Sequence, residues 1–372
     1  MKLQSLQLYD FRSYETAGVQ LHPGVNLIVG ENAQGKTNLL ESVFYLSTGK
    51  SFRTARNQEL IRFGAEFADL SCTLFSGGRE QSLRAVLFSG RRPRQLYIGG
   101  VKQRSAAGLS GVLTTVLFCP DDLLILKSGS AGRRKILDTA LCQLRPGYAQ
   151  ALAEYQKLYD SKSRILKDYH DAPSLLEPLP EFNYRMAQVG AILISYRARY
   201  LRELSAQAGQ FHAEFSGGKE TLRLRYQTVS TVTDPFAEKK TIFQQLLDHQ
   251  QSHYRAELES GQCLSGPHKD DFEAELDGLS VKAFGSQGQT RTAAISLKLA
   301  ERELFRADTG EEPVLLLDDV LSELDARRQD FVLNQIRSGQ VLITCCEPDR
   351  LSDIGKRILI ENGQVREDPA CI

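Results

Sequence analysis

An α/β fold is what the sequence predicts: a mixed sheet flanked by helices, built from both ends of the chain around an inserted, mainly helical arm. Three observations predict it. The apolar run "VNLIVG" (Val25 to Gly30) leads through a glycine-rich turn into the helically spaced "TNLLESVFYLS". Near the other end, "PVLLLDD" carries four consecutive apolar residues, Val314 to Leu317, the pattern of a strand buried on both faces. Between them run long stretches whose apolar residues recur at helical spacing.

In chain order, "LQSLQLYDF" alternates with period two and reads as a strand, followed by the strand, turn and helix just described. "ADLSCTLFS", "QSLRAVLFS" and "RQLYIGG" read as further strands joined by glycine-containing turns. "TTVLFCPDDLLIL" reads as a buried strand leading into a turn and a short helix. From about Gly132 the pattern changes: "YAQALAEYQKLYDSKSRILKDY" places Leu152, Tyr155, Leu158, Tyr159, Ile165, Leu166 and Tyr169 on one helical face. A proline-rich break, "APSLLEPLPE", precedes a second long helix from Phe182, and after the short strand "TLRLRYQ" comes a third, "AEKKTIFQQLLDHQQSHYRAELES". Strand patterns resume at "DDFEAELDGLSVKAF", where Asp277-Gly278 signals a hairpin. The expected division is a discontinuous head, residues 1–131 plus 263–372, and an arm, residues 132–262.

Composition narrows the class. The chain has 372 residues, 41% hydrophobic and 25% charged, as a globular protein does. No apolar run approaches membrane-spanning length and the N-terminus has no signal-peptide core, so no membrane association and a cytoplasmic location are expected. The seven cysteines form no Cys-x-x-Cys pair and read as reduced core residues, Cys345-Cys346 included. Formal net charge is zero, so any polyanion must be met by local charge. "GRRPR" (Arg91, Arg92, Arg94) and "GRRK" (Arg133, Arg134, Lys135) are the basic clusters that could do so, or are ordinary solvated charge.

"GENAQGKT", Gly30 to Thr37, matches G-x-x-x-x-G-K-[ST] between a buried strand and a helix. Such a loop wraps backbone N–H groups around phosphates at a helix N-terminus, with Lys36 reaching the outer phosphates and the Thr37 hydroxyl on magnesium. The partner it needs is acidic, and the apolar strand before Asp318 and Asp319 ends where phosphates bind in such sheets. Asp318 is then the magnesium-side carboxylate and Asp319 the residue facing the attacking water. About 280 positions separate loop from acid, which implies the inserted arm. "SQGQ", Ser286 to Gln289, opens the helical pattern "TRTAAISLKLAERELF", and at a helix N-terminus would read a phosphate held by a second copy of the chain. "SGPHKDD" has no second ligand at metal spacing beside His268 and reads as the junction where the arm re-enters the head, or as a simple turn.

Phosphate loop, Ser-x-Gly-Gln signature, Asp-Asp strand and the following "SELD" (Ser322 to Asp325) resemble the parts of an ATP-binding-cassette (ABC) ATPase head, and the inserted arm resembles SMC-like repair ATPases. In finer detail the chain is similar to the RecF family. "LYDFRSYE", "GENAQGKTNLLESVFYLSTGKSFR", "FCPDDLLILKSGSAGRRKILD", "LSGPHKDD", "GSQGQTRTAAISLKLAE" and "LLLDDVLSELD" stand in that family's order over nearly the full chain.

The resemblance implies an ATP- and magnesium-dependent ATPase of slow, DNA-stimulated turnover. Gly30, Glu31, Asn32, Ala33, Gln34, Gly35, Lys36, Thr37, Asn38 and Arg12 would contact ATP, with Thr37 and Asp318 toward the metal and Lys36 and Asp319 in hydrolysis. Ser286, Gly288, Gln289 and Asp325 would act across an ATP-dependent homodimer. Phe11 reads equally as a neighbour of the nucleotide or as a core aromatic. Implied partners are single- and double-stranded DNA, RecR and RecO, and the implied work is RecA loading at gaps, replication maintenance and SOS induction. Another SMC-like ABC ATPase of DNA maintenance, with a structural clamp role, is the alternative. Two positions depart from the cassette pattern: Asp319 stands where glutamate is usual, and Thr344 or Cys345 near where a switch histidine is usual.

Overall fold

The computed structural model describes residues 1–336, 338–346 and 355–367, and the chain forms two compact units, residues 1–124 with 294–372 and residues 125–293. In the first unit, β1 (Lys2–Phe11) and β2 (Tyr14–Gln20) form an antiparallel hairpin. β3 (Val25–Val29) follows, then α1 (Lys36–Thr48), and then the antiparallel run β4 (Phe67–Ser76), β5 (Arg79–Phe88), β6 (Gln95–Ile98) and β7 (Val101–Gln103). The resulting sheet has the order β2-β1-β4-β5-β6-β7. Its apolar face is continuous although Leu3 and Leu6 are three apart, because a register shift between Leu3 and Ser5 turns both inward. β8 (Thr115–Phe118) is buried at all four positions.

The second unit starts with α2 (Ser130–Leu144), α3 (Pro146–Asp168) and the long α4 (Leu179–Ser216), then β9 (Leu222–Gln227) and α5 (Lys239–Ser260). β10 (Asp271–Leu276) and β11 (Leu279–Ser280) form the expected hairpin, with Asp277 and Gly278 both at positive φ, before the single turn α6 (Val281–Phe284). β10 also pairs antiparallel with β9 along its full length. That pairing is why residues 263–293, placed with the head by sequence, fold with the arm residues instead.

The "SGPHKDD" segment correspondingly packs into the second unit, with Ser265, Gly266, Pro267 and Asp270 buried and Lys269 exposed. Arg197, 3% exposed on α4, donates to Pro267 O (2.7 Å), Asp270 Oδ2 (3.0 Å) and both oxygens of Asp138. Asp270 also accepts from Tyr226 and Thr228. The "GRRK" cluster is drawn into the same region: Arg133, 3% exposed, forks onto Asp271 at 2.7 Å, and Arg134 donates to Asp270 O at 2.6 Å.

The chain then returns through α7 (Gln287–Thr309), β12 (Val314–Leu317), α8 (Ala326–Gln335), β13 (Val341–Cys345), β14 (Lys356–Glu361) and β15 (Gln364–Glu367). These strands complete the first unit's other sheet, in the order β15-β14-β3-β13-β12-β8, parallel except for β15. Leu317 lies opposite Ile343, and Cys345 opposite Val29. The ends of β3, β13 and β12 therefore emerge side by side, which sets Gly30, Thr344 and Asp318 along one rim.

Candidate active site

The loop after β3 can take its shape only with the residues it has. Gly35 sits at φ +118, and a Cβ there would lie 2.8 Å from Ser13 Oγ and 3.1 Å from the Tyr14 hydroxyl. Gly30 runs so close to β14 that a Cβ would stand 2.4 Å from Ile360 O. Ala33 also has positive φ. Tyr14, fully buried on β2, donates to Gly35 O at 2.9 Å and so fixes the turn into α1.

Lys36 opens α1 and folds back over the loop. Its ammonium donates to Gly30 O (2.6 Å) and Glu31 O (3.0 Å) and lies 3.2 Å from Cys346 Sγ. Thr37 donates from Oγ1 to Asp318 Oδ1 at 2.9 Å, although the two lie at opposite ends of the sequence. Thr344 reaches the same oxygen at 3.1 Å and accepts the Asp319 N–H at 2.8 Å. Burial of Asp318 pushes its carboxyl above the ordinary carboxylate range, helped by neighbouring Asp319 and opposed by the two threonine hydroxyls and Arg53. A hydroxyl and a carboxylate in contact at a helix N-terminus are hard oxygen donors, a set that fits magnesium. The left-handed loop with its Cβ-excluding glycines fits a phosphate chain.

The other expected loop residues have defined partners. Asn32 Oδ1 accepts from Cys346 Sγ at 3.1 Å, Gln34 accepts the Asn362 N–H, and Asn38 bridges Ser13 (3.0 Å) and Arg53 (2.9 Å). Cys346 is exposed beside Lys36, which corrects its reading as a core residue; it lies beyond the last residue of β13, past the strand's burial. Arg12, at φ +54, makes a two-pronged contact at 2.9 Å with Glu41 and donates to Glu59 O at 2.8 Å. Phe11 is fully buried in the core.

Sequence reasoning missed Glu41, Ser51 and Arg53. Glu41 lies on α1, is fully buried, accepts both Arg12 and Ser51, and has Arg53 3.7 Å away. A signal existed: Glu41 falls on the apolar side of "TNLLESVF", where a carboxylate must be paired. In the turn after β8, Asp122 accepts the Cys119 N–H (2.9 Å), with the buried Lys298 ammonium 3.8 Å away. Arg94 of "GRRPR" donates to Tyr45 (2.9 Å) and to Gly49 O at the end of α1, while Arg92 lies over the Phe88 ring.

Ser286, Gly288 and Gln289 belong to the second unit. Ser286 Oγ accepts the Gln289 N–H at 3.2 Å and Gln289 Oε1 accepts the Ser286 N–H at 2.9 Å, a reciprocal capping box at the start of α7. Gln289 also donates to Glu220 at 2.7 Å. Asp325 is the N-cap of α8, accepting the Arg328 N–H at 3.0 Å. The hydrogen bond from the Arg328 backbone, opposed by desolvation and aided by the Arg328 side chain, holds its carboxyl below the usual range. Among the described residues no cluster of three metal-ligating side chains of the His, Cys, Asp or Glu type occurs, and no helix is long and apolar enough to cross a membrane.

A family model of the RecF/RecN/SMC N terminal domain matches residues 2–365. The DNA replication and repair protein RecF of Clostridium novyi (strain NT) is 34% identical over 371 residues, covering 99% of this chain and 100% of that protein. Among solved structures, the recombination mediator protein RecF-ATPrS in the RecFOR pathway superposes with TM-score 0.91 at 31% identity, over 98% of this chain and 97% of the other. An Smc head domain with extended coiled coil from Pyrococcus furiosus, bound to the C-terminal domain of ScpA, shares the fold at TM-score 0.55 and 16% identity, over 98% and 95% of the two chains.

Proposed function

The chain belongs to the RecF family of SMC-like proteins, and from that premise we propose that it is an ATP-switched protein of DNA replication and repair. ATP joins two copies, the joined pair holds DNA at junctions of single and double strands, and slow hydrolysis stimulated by DNA releases it. In this role it acts with RecR and RecO in RecA loading in the cytoplasm. The observation that carries the reading is the 2.9 Å contact of Thr37 with Asp318 beside the glycine-shaped loop, which assembles a phosphate cradle and a metal-side carboxylate from opposite ends of the chain.

In that reading the N–H groups from Glu31 to Asn38 bind the phosphate tail, and Lys36 exchanges its two carbonyl partners for phosphate oxygens. Thr37 and Asp318 would hold magnesium, which when bound would supply charge neutralisation to the phosphates. Asp319 orients the water. Ser286 and Gly288, at the start of α7, present a helix N-terminus to the nucleotide of a second copy, and Asp325 lies at the same joint. Contacts to DNA are made to its phosphates and depend on salt rather than on sequence.

Light scattering with ATP tests the switch. Asp319→Asn, which keeps the shape but not the base, should accumulate as a dimer in ATP. Lys36→Ala should stay monomeric and bind ATP weaker by roughly two orders of magnitude, since it removes charge-assisted hydrogen bonds. A monomeric Asp319→Asn protein at saturating ATP would rule out the two-copy reading, and turnover unaffected by duplex DNA would rule out the DNA-stimulated one.

A further inference from the structure

We propose that Thr344 is a positioning residue for hydrolysis: its one hydroxyl clamps Asp319 in a left-handed backbone conformation and steadies Asp318, and that conformation accounts for aspartate at position 319. The proposal rests on the reading above, in which Asp319 orients the water.

The regular ladder at the end of β12 stops one residue before Asp319. Asp318 N still donates to Phe118 O at 2.9 Å, in step with the β12–β8 pairing. Asp319 then turns to φ +52, and its N–H meets Thr344 Oγ1 at 2.8 Å instead of a strand carbonyl. The carbonyl of Asp319 accepts Ser322 Oγ at 2.7 Å, with Oδ1 3.3 Å from the same hydroxyl. Both backbone polar groups of this residue are therefore held by side-chain hydroxyls.

A left-handed conformation is unfavourable for an L-residue, and aspartate and asparagine occupy it most readily after glycine because their short polar side chains can bond to nearby groups. Glutamate loses that local compensation. A glutamate at the strand end would favour ordinary strand geometry, and its carboxylate would project from a different backbone; aspartate takes the turn and needs the clamp.

Thr344 is suited to hold it. It is 2% exposed on β13, the strand between β3 and β12, and lies opposite Ile28. As a β-branched residue its χ1 is restricted, so the hydroxyl has little freedom. Accepting from Asp319 N leaves its proton for Asp318 Oδ1 at 3.1 Å, with Leu317 O, at 3.5 Å, the weaker alternative. One oxygen of Asp318 thus receives both Thr37 and Thr344, and no hydrogen bond among the described residues uses the other. A single hydroxyl fixes the metal-side carboxylate and the water-facing residue relative to each other.

Three variants of the full-length protein test this: Thr344→Val, which is near in shape and lacks the hydroxyl, Thr344→Ala as a second hydroxyl-free form, and Thr344→Ser, which restores it. Steady-state hydrolysis should fall roughly 100-fold in kcat for Val and Ala, the scale of a small misplacement of a reacting group. Binding of a fluorescent ATP analogue should change no more than about 3-fold, and Ser should stay within about 3-fold of the parent in both. Crystals of nucleotide-free Thr344→Val should show residue 319 out of the left-handed region. The clamp is overturned by unchanged kcat in Val and Ala, by a loss in Ser equal to that in Val, by loss of binding in proportion to kcat, or by φ of Asp319 persisting near +52 in Val. If the parent protein binds ATP but hydrolyses none, the hydrolytic reading fails separately, and the crystals still decide whether Thr344 holds the backbone.

Discussion

Gly35 shows how a single missing side chain governs the candidate site. Its φ of +118 is closed to L-residues, and the space a Cβ would need already holds Ser13 Oγ and the Tyr14 hydroxyl. Gly35→Ala therefore forces the loop to move, breaks the Tyr14 contact to Gly35 O, and stores strain of roughly 1–3 kcal/mol. ATP binding measured by titration should fall at least as far as in Lys36→Ala. Tyr14→Phe separates the two effects: it should cost about 1 kcal/mol of stability with ATP binding nearly unchanged, because the backbone still fits. An alanine variant that binds ATP like the parent would mean that the loop's left-handed turn is dispensable. The glycine-rich loop and the acidic strand end, which the structure brings together through Thr37 and Asp318, were legible in sequence because each carries its residue types at fixed local spacing. Glu41 left only its signal on the apolar side of α1, and Ser51 and Arg53 left none, because they meet Glu41 through a turn after α1 whose path no local pattern encodes.

At the scale of elements, strands and helices with strong periodicity were read correctly from the chain: β1, β3, α1, α3, α5 and the β10–β11 hairpin all carry their pattern locally. α2 was not read, because "GRRK" suggested surface charge whereas Arg133 and Arg134 are committed to Asp271 and to Asp270 O. The placement of β10 was missed for a related reason: strand pattern does not reveal the partner strand, and β9 supplies it. The interior this creates is pH-sensitive through His268. Nε2 donates to Cys263 O at 2.9 Å, so in the neutral ring Nδ1 accepts the Tyr155 hydroxyl at 2.8 Å. Burial lowers its pKa to about 4, opposed by the Cys263 carbonyl and reinforced by the cations Lys269, Lys162 and Arg134. The unfolded chain takes the proton near the ordinary value of about 6.5 and the folded one resists it. Stability from this group is thus complete above about pH 6.5 and is lost progressively as pH falls toward 4, by up to about 3 kcal/mol. Urea melts from pH 7.5 to 4.5 should show that slope, and His268→Gln should flatten it; an equal slope in the variant would place the titrating group elsewhere.

For the whole molecule, the connection between the chain's two ends is the governing fact. β3 from the N-terminal part lies between β13 and β14 from the C-terminal part, and β8 closes against β12. Gln340 adds a side-chain splice, its amide exchanging bonds of 2.7 Å with both the N–H and the carbonyl of Leu3. The second unit is interleaved in the same way, since Arg197 of α4 is bonded to Pro267 O and Asp270. A cut between α4 and β9, at the exposed pair Gly217-Gly218, would therefore sever the backbone without separating either core. We expect a protein carrying a protease site at that turn, once cleaved, to elute from a gel-filtration column as one species holding both pieces. It should also bind ATP within about 3-fold of the uncut form, because Lys36 and Thr37, at the start of α1, and Asp318, just past β12, sit at the rim of a sheet that the cut leaves intact. Lowering the pH toward 4 should part the pieces sooner than the uncut protein unfolds, since loop closure no longer holds them together. Pieces that separate at neutral pH without denaturant would show that the continuous backbone, and not the interleaved sheet, keeps Thr37 facing Asp318.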